Sequence, residues 1–274
     1  MKVKFYGVRG SLPVCGREFE RYGGNTTCIR ILREQANRIA IIDAGTGIRN
    51  LGKEIIQEGI SQQVINILFS HFHWDHIQGL PFFAPAYQKN QKLGILAMGR
   101  KGKIKDLKEI FSLQMQKEYF PIRIEAMGAQ FEFLTYGGKE TIYGAMVKAV
   151  AQHHLYYGGS YGYRIEDESV SLVVCTDLEH VQGIDQHIVD FARGADLLIH
   201  DGQYTAKEYK KFKGWGHSTC EQAAKVAKQA KVKRLIVTHH DPDHDDDFLD
   251  LMEKNCQKLF PNSQFAKEGM EVVV

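Results

Sequence analysis

The sequence has few cysteines, and they follow neither a pairing pattern nor a metal-binding pattern. Five of them are spread over 274 residues with no Cys-x-x-Cys spacing, at Cys15, Cys28, Cys175, Cys220 and Cys256. An odd number of scattered thiols argues against a disulfide framework and against a thiolate zinc site. We therefore expect unpaired, mostly buried thiols and a reducing compartment.

Long apolar runs and an excess of charge of one sign are also absent. The sequence contains no run of about 18 apolar residues, near the length that crosses a bilayer, and it starts without a signal-peptide pattern. The formal net charge is only +2, from 35 basic and 33 acidic residues. No strong field therefore favours membranes or long nucleic acids as partners. We expect a cytoplasmic protein with a small-molecule substrate.

Strand-like and helix-like segments are present, and strands lead in each half of the chain. Apolar alternation and β-branched runs predict strands at residues 3–8, 28–32, 38–42, 64–70, 131–134, 145–150, 163–165, 172–175, 196–200 and 234–237. A turn and helix are predicted over 45–60, and further helices over 103–119, over 220–231 and after residue 246. No linker interrupts this order. We predict one α/β domain over residues 1–274, with two sheets face to face and helices outside.

A cluster of metal-ligand side chains follows the strand predicted at 64–70. Three histidines and one aspartate lie within six residues: His71, His73, Asp75 and His76. Buried imidazole and carboxylate groups need partners, so this cluster is not ordinary core. At the end of an extended strand His71 and His73 point the same way, and a turn then carries Asp75 and His76 to a second point. The spacing predicts two adjacent metal ions.

Further candidate ligands follow other predicted strands. Asp177 comes directly after the apolar run 173–176, and His239 follows the run 235–238 in the same manner. His153 and His154 follow the strand near residue 150. Each of these residues alone is typical of an ordinary loop. Together with the histidine cluster they predict a complete dinuclear centre.

These residues resemble the metallo-β-lactamase fold superfamily over nearly the whole chain. Four further segments are similar to its phosphodiesterase branch, which contains ribonuclease Z, PhnP-type and cyclic-nucleotide phosphodiesterases: Gly-Val-Arg-Gly-Ser (7–11), Tyr-Gly-Gly-Asn-Thr-Thr-Cys (22–28), Asp-Ala-Gly-Thr-Gly (43–47) and Gly-Trp-Gly-His-Ser-Thr (214–219). The resemblance implies a four-layer αββα sandwich with the metals at one edge. It also implies two divalent metal ions, which we expect to be zinc or manganese.

The resemblance assigns the ligands residue by residue. It implies that His71 and His73 bind one metal, Asp75 and His76 bind the other, Asp177 bridges both, and His239 completes the second site. The remaining histidine of the first site departs from the family pattern. Spacing to Gly162 points to Tyr156, whereas the register of the preceding strand points to His154 if residues 158–159 are an insertion. We predict His154, with His153 as the alternative.

Two residues are assigned to the chemistry by the same resemblance. His217 matches the histidine that contacts the scissile phosphate in this branch, and Asp75 is expected to orient the attacking hydroxide and take its proton. His200, Asp201 and Asp43 are expected to orient these groups, or else to be buried polar residues with structural roles. A more distant set is expected at the rim of the site: His240, Asp241 and His244.

The expected function is hydrolysis of a small phosphodiester, best matched by a cyclic nucleotide, through attack of a hydroxide that bridges two metals. Ribonuclease Z-type relatives carry a flexible Gly/Pro-rich arm that grips tRNA, but here residues 87–127 are expected to be basic and helical. A tRNA 3′-processing endonuclease is the first alternative, followed by a lactonase or thioesterase and by a nucleotide sensor without catalysis. We expect a homodimer.

Overall fold

The computed structural model describes residues 1–33, 38–59, 63–142, 144–168 and 170–274. The strands of these residues are β1 (Lys2–Gly7), β2 (Cys28–Leu32), β3 (Arg38–Ile42), β4 (Val64–Leu68), β5 (Lys92–Ala97), β6 (Gln130–Thr135), β7 (Lys139–Ile142), β8 (Ala145–His154), β9 (Tyr156–Asp167), β10 (Val170–Cys175), β11 (Leu197–Asp201), β12 (Arg234–Thr238), β13 (Ser263–Phe265) and β14 (Glu271–Val273). They form two seven-stranded sheets, with orders β14-β1-β2-β3-β4-β5-β6 and β13-β12-β11-β10-β9-β8-β7.

Both sheets are mixed, and each half of the chain follows the same plan. The first sheet is antiparallel from β14 to β3 and parallel from β3 to β6. The second is antiparallel from β7 to β10 and parallel from β10 to β13. In each sheet the carboxyl ends of the parallel strands therefore lie at one edge, where loops can bring ligand side chains together.

Helices cover the outer faces of the two sheets. They are α1 (Ile48–Gln57), α2 (Trp74–Ile77), α3 (Leu107–Gln114), α4 (Gln186–Ala192), α5 (Ala206–Phe212), α6 (Cys220–Ala230) and α7 (Asp246–Leu259). Ile48, Leu51 and Ile55 of α1 pack with β3, β4 and β5 in one apolar cluster. Helices α4, α6 and α7 pack on the second sheet in another. A third cluster fills the space between the sheets, so the layers are αββα and the predicted fold class is confirmed.

Strands β2 and β3 have the predicted bounds, but several other elements differ. Helix α3 is shorter than the predicted 103–119, because the Asp106 side chain accepts hydrogen bonds from the amides of Lys108 and Glu109 and caps the helix there. Strands β8 and β9 extend to His154 and Tyr156 and form a long hairpin. Strand β5 was not predicted, because a buried parallel strand shows no polar alternation. Helix α1 ends at Gln57, and Ile60 lies outside the described residues.

The thiols agree with the sequence-based expectation of unpaired, mostly buried cysteines. All five cysteines are free, and four of them are buried, whereas Cys15 is exposed. Among the described residues, no helix combines the length and apolar character that a bilayer crossing requires.

Candidate metal centre

The histidine cluster begins three residues after the end of β4, and the chain turns there within one short helix. His71 lies in the extended segment that follows Leu68, and α2 starts at Trp74. Within α2, the side chains of Asp75 and His76 are buried, whereas Trp74 is exposed. Since a helix of this length makes only one turn, it redirects the chain and separates His71 and His73 from Asp75 and His76.

The first group of candidate ligands consists of His71, His73 and His154. The Nε2 atom of His154 lies 3.0 Å from Nδ1 of His73, and the rings of His71 and His154 are 4.9 Å apart. His154 reaches this position because β9 carries a bulge: Gln152 pairs with Ser160, but His153 pairs with Tyr157. The two extra residues at 158–159 are therefore accommodated in β9.

The second group consists of Asp75, His76, Asp177 and His239. Nε2 of His76 lies 3.2 Å from carboxylate oxygens of both Asp75 and Asp177. Nε2 of His239 lies at the same distance from both carboxylates. Asp177 Oδ1 is also 3.7 Å from Nε2 of His71, so this carboxylate lies between the two groups. Asp177 and His239 adopt left-handed backbone conformations at strand ends, with φ of 56° and 64°. Such conformations occur often at functional sites.

The donor set suits divalent transition metals. Among the candidate ligands, three buried atoms make no hydrogen bond: Nε2 of His71, Nε2 of His76 and Oδ2 of Asp177. Buried polar atoms without partners are destabilising, and a bound cation would satisfy all three. The ligand atoms of each group lie within 4.8 Å of one another. Imidazole nitrogens with carboxylate oxygens are the ligands that zinc and manganese sites use.

Burial and mutual charge set the protonation of these groups. Burial lowers the pKa of His71 well below its usual value and also lowers the pKa of His154, so both are neutral. Burial alone would raise the pKa of Asp177, but the charges of His239 and His76 hold it well below its usual range. For His239, burial is outweighed by Asp177, Asp75 and Asp201, which raise the pKa to about 9. Metal binding at His239 therefore requires the loss of a proton.

Three of the candidate histidine ligands are held in place by a hydrogen bond at their second ring nitrogen. His76 Nδ1 donates to Asp43 at 2.8 Å, as the sequence led us to expect for Asp43. His154 Nδ1 donates to the Gly216 carbonyl at 2.8 Å, and His239 Nδ1 donates to Gln203 Oε1 at 3.1 Å. Sequence reasoning missed the contacts of Gly216 and Gln203, since neither residue type marks a metal site. Such contacts fix the tautomer and leave Nε2 facing the metal.

His217 lies beside both groups. Its Nδ1 donates to Asp201 Oδ2 at 2.9 Å, and its ring stacks on that of His239 with centroids 4.9 Å apart. Asp201 also accepts hydrogen bonds from the amides of Ser218 and Asp177. His200 points elsewhere: its Nδ1 donates to the Asp201 carbonyl and its ring stacks on His180. Of the adjacent pair His200 and Asp201, only Asp201 therefore contacts the cluster.

The chain matches the family described as beta-lactamase superfamily domain over residues 38–259. It belongs to the beta-lactamase superfamily. It is 26% identical to a ribonuclease Z from Picrophilus torridus, in an alignment covering 98% of this chain and 94% of that protein. This alignment has 315 positions, so the relative carries extra residues within the matched region.

Solved structures show the same fold. The short form of human tRNase Z has a TM-score of 0.68 and 19% identity, over 100% of this chain and 98% of that one. A diphosphatase from the PhnP family has the same TM-score and identity, again over 100% of this chain. Yeast PDE1 has a TM-score of 0.67 and 14% identity, over 100% of this chain and 99% of that one. The chain is thus a hydrolase of the beta-lactamase superfamily, and this fold implies divalent metal ions.

The residues expected at the rim of this superfamily site have other surroundings. His240 and His244 are buried rather than at an exposed rim, because their rings pack against those of Phe265 and Phe248. His240 Nε2 donates to the Ala266 carbonyl, and His244 Nε2 donates to Glu208. Asp241 accepts a hydrogen bond from Gln203, the residue that holds His239. The contribution of this segment is therefore structural.

A serine-hydrolase spacing, Gly-x-Ser-x-Gly, also occurs at residues 158–162. In serine hydrolases of that type the serine lies on a sharp turn between a strand and a helix, with its hydroxyl exposed. Here Ser160 is buried within β9, where it donates to the Asp177 carbonyl at 2.6 Å and accepts from Gln152. Its hydroxyl supports the segment that carries Asp177 and is not placed as a nucleophile.

His153 and His154 can be distinguished as metal ligands by their effect on the metal content of the protein. The His154→Ala protein is expected to lose one metal per chain, whereas the His153→Ala protein keeps two, because only His154 lies within ligand distance of His71 and His73. Elemental analysis of both variants beside the wild type checks this. Loss of a metal from the His153 variant, with full occupancy in the His154 variant, would reverse the assignment.

Proposed function

We propose that this chain is a metal-dependent phosphodiesterase that hydrolyses a small phosphodiester, with a cyclic nucleotide as the best-matched substrate. The observation that supports this proposal most strongly is the hydrogen bond between His217 and Asp201, which lies beside two groups of metal-ligand side chains. A lactonase or thioesterase needs the metals but no second histidine aimed at a phosphoryl group. The pair therefore favours phosphoryl chemistry.

In this proposal His71, His73 and His154 hold one metal, and Asp75, His76 and His239 hold the other, with Asp177 shared. When bound, the two metals lower the pKa of a water molecule and polarise the phosphoryl oxygens. The choice of zinc or manganese, the homodimer and the cytoplasmic location stay predictions.

The chain's own residues then orient the reaction and move protons. The Asp75 carboxylate is held by the Ser11 amide at 2.8 Å and lies between His76 and His239, where it can orient the attacking water and accept its proton. Asp201 binds Nδ1 of His217, which leaves Nε2 of that ring for the substrate. From there His217 donates a hydrogen bond to a phosphoryl oxygen or a proton to the leaving oxygen.

The segment over residues 87–127 supports a small substrate. Contrary to the expectation from sequence, the segment is not helical throughout: it contributes β5 to the first sheet, and α3 and the connecting turns pack on that sheet. Four of its side chains belong to the apolar cluster there: Leu107, Phe111, Met115 and Ile124. A packed segment of this kind differs from a flexible arm. A tRNA-processing activity stays the second candidate, because the relative's own name is ribonuclease Z.

A substrate panel with several metals tests the proposal. Cyclic nucleotides, bis(p-nitrophenyl) phosphate and a 3′-extended tRNA precursor are each incubated with the wild type and with the His71→Ala variant as a control. We expect hydrolysis of cyclic nucleotides and of the synthetic diester by the wild type alone. Cleavage of the tRNA precursor without turnover of cyclic nucleotides would favour the ribonuclease. Hydrolysis of lactones or thioesters but of no phosphodiester would contradict the proposal.

A further inference from the structure

Trp215 is a large, exposed aromatic side chain in the segment that contacts His154 through Gly216 and leads to His217. Its side chain is 60% exposed, although its neighbours Gly216 and His217 are buried. Exposing an indole forgoes the free energy that burial of such a large apolar surface would supply. Single exposed apolar residues are common, so the exposure alone carries no function.

The backbone around Trp215 is fixed by a buried carboxylate. Glu179 is 1% exposed, and its Oε1 accepts hydrogen bonds from the Gly214 amide at 2.7 Å and from the Tyr209 hydroxyl at 2.8 Å. Its Oε2 accepts from the Gly216 amide at 3.0 Å. One carboxylate therefore binds the chain on both sides of Trp215. Burying a carboxylate is costly unless donors surround it, and here three donors do.

The conformation of this segment also depends on its two glycines. Gly214 and Gly216 have φ of 92° and 90°, a region that side-chain-bearing residues rarely adopt. The indole of Trp215 packs edge-on against Phe212, with ring centroids 5.2 Å apart. The ring is thus supported on one side and open on the other, so a ligand would meet a platform that is already ordered.

The segment touches the metal centre directly. The Gly216 carbonyl accepts the hydrogen bond from Nδ1 of His154, and a Cβ atom at Gly216 would lie only 2.3 Å from that nitrogen. His217 follows at once, with its ring 5.1 Å from that of His154. The exposed indole therefore belongs to the segment 214–216, which contacts the candidate metal ligand His154 and leads directly to the candidate catalytic residue His217.

We propose that Trp215 is the stacking platform for the nucleobase of the substrate. The proposal rests on the proposed function, and it specifies the substrate class as a nucleotide rather than any small phosphodiester. A flat aromatic base can stack on an exposed indole without base-specific hydrogen bonds, so the platform is tolerant of base identity. Glu179 acts as a positioning residue, since it orders the segment without meeting the ligand.

The second exposed tryptophan supplies the competing location. Trp74 lines an apolar cleft of about 530 Å³ together with Phe82, Tyr119 and Phe120. Tyr119 is itself 67% exposed and lies far from the Trp215 segment in sequence. The Tyr119→Ala protein is therefore a matched control, because it removes an exposed ring from the cleft and leaves the platform intact.

The test compares two ligands that differ only in the base. Binding of AMP and of ribose 5-phosphate to the metal-loaded protein is measured by calorimetry, without turnover. We expect the wild type and Tyr119→Ala to bind AMP on the order of tenfold more tightly than ribose 5-phosphate. Trp215→Ala should bind both ligands equally, with its affinity for ribose 5-phosphate and its metal content unchanged. Trp215→Phe should keep part of the preference for AMP.

Each other outcome overturns the platform. Equal binding of the two ligands by the wild type, no binding of either, or a preference that survives in Trp215→Ala would each contradict it. If the preference for AMP is lost in Tyr119→Ala and not in Trp215→Ala, the base binds in the Trp74 cleft. The proposed function can fail independently of the platform. If the wild type binds AMP through Trp215 but hydrolyses no phosphodiester, the platform is supported and the phosphodiesterase activity is contradicted.

Discussion

Replacement of Asp177 by alanine is expected to remove at least one metal ion per chain and to abolish hydrolysis. Its carboxylate lies between the two candidate metal sites, 3.2 Å from Nε2 of His76 and of His239 and 3.7 Å from Nε2 of His71. Without it, each site loses a negative ligand, and the two cations would face each other with less charge to screen their repulsion. Elemental analysis and phosphodiester turnover measure the two effects.

Two further variants sharpen this prediction. Asp177→Asn keeps the shape of the side chain but removes its charge, so we expect weakened metal binding and not a misfolded chain. Asp190→Ala is the matched control, since Asp190 is an exposed aspartate on α4 that pairs with Arg193. It should keep two metals and full activity. An Asp177→Ala protein with the metal content of the wild type would refute the bridging assignment.

Replacement of His217 by alanine is expected to lower the catalytic rate on the order of 10²-fold or more, the usual effect of a positioned proton donor or oxyanion partner. The metal content should stay unchanged, because Nδ1 of His217 is bound to Asp201 and its ring stacks on His239 without being part of the proposed ligand set. Initial rates with a cyclic nucleotide, elemental analysis and thermal unfolding check the three parts of this prediction.

The leaving group distinguishes two roles for His217. A p-nitrophenolate needs little protonation, so a general acid would matter less for bis(p-nitrophenyl) phosphate than for a cyclic nucleotide. An equal loss on both substrates would indicate stabilisation of the phosphoryl oxygens instead. His187→Ala, which removes an exposed histidine on α4, is the control and should leave both rates unchanged. Turnover near that of the wild type in His217→Ala, with metals bound, would refute the catalytic role.

Part of this centre follows from local sequence alone. A run such as His71-Phe72-His73-Trp74-Asp75-His76 after an apolar strand cannot be buried without partners, whatever the rest of the fold. The same reasoning holds for Asp177 and His239, which follow the buried strands β10 and β12. These residues were expected to complete one dinuclear centre with the histidine cluster, and the structure brings them together.

Neighbouring residues of the same chemical type could not be separated in this way. The choice between His153 and His154 depends on a bulge at residues 158–159 of β9, which belongs to the pairing of two strands and not to either histidine. Asp201 faces the cluster and His200 does not, because successive side chains of β11 point to opposite faces. Periodicity predicts such alternation, but it does not say which face meets the metals.

The sequence by itself determined the superfamily and its αββα class through the resemblance of its motifs, and it determined the residue types available for metal binding through the cost of burying polar groups. Only the tertiary structure decided which distant residues hold the site residues in place by hydrogen bonds. Gln203 reaches His239 across 36 residues, and Glu179 reaches Gly214 and Gly216 across 35 and 37. No local pattern marks such partners, since their contacts arise only when the second sheet and its loops are packed together.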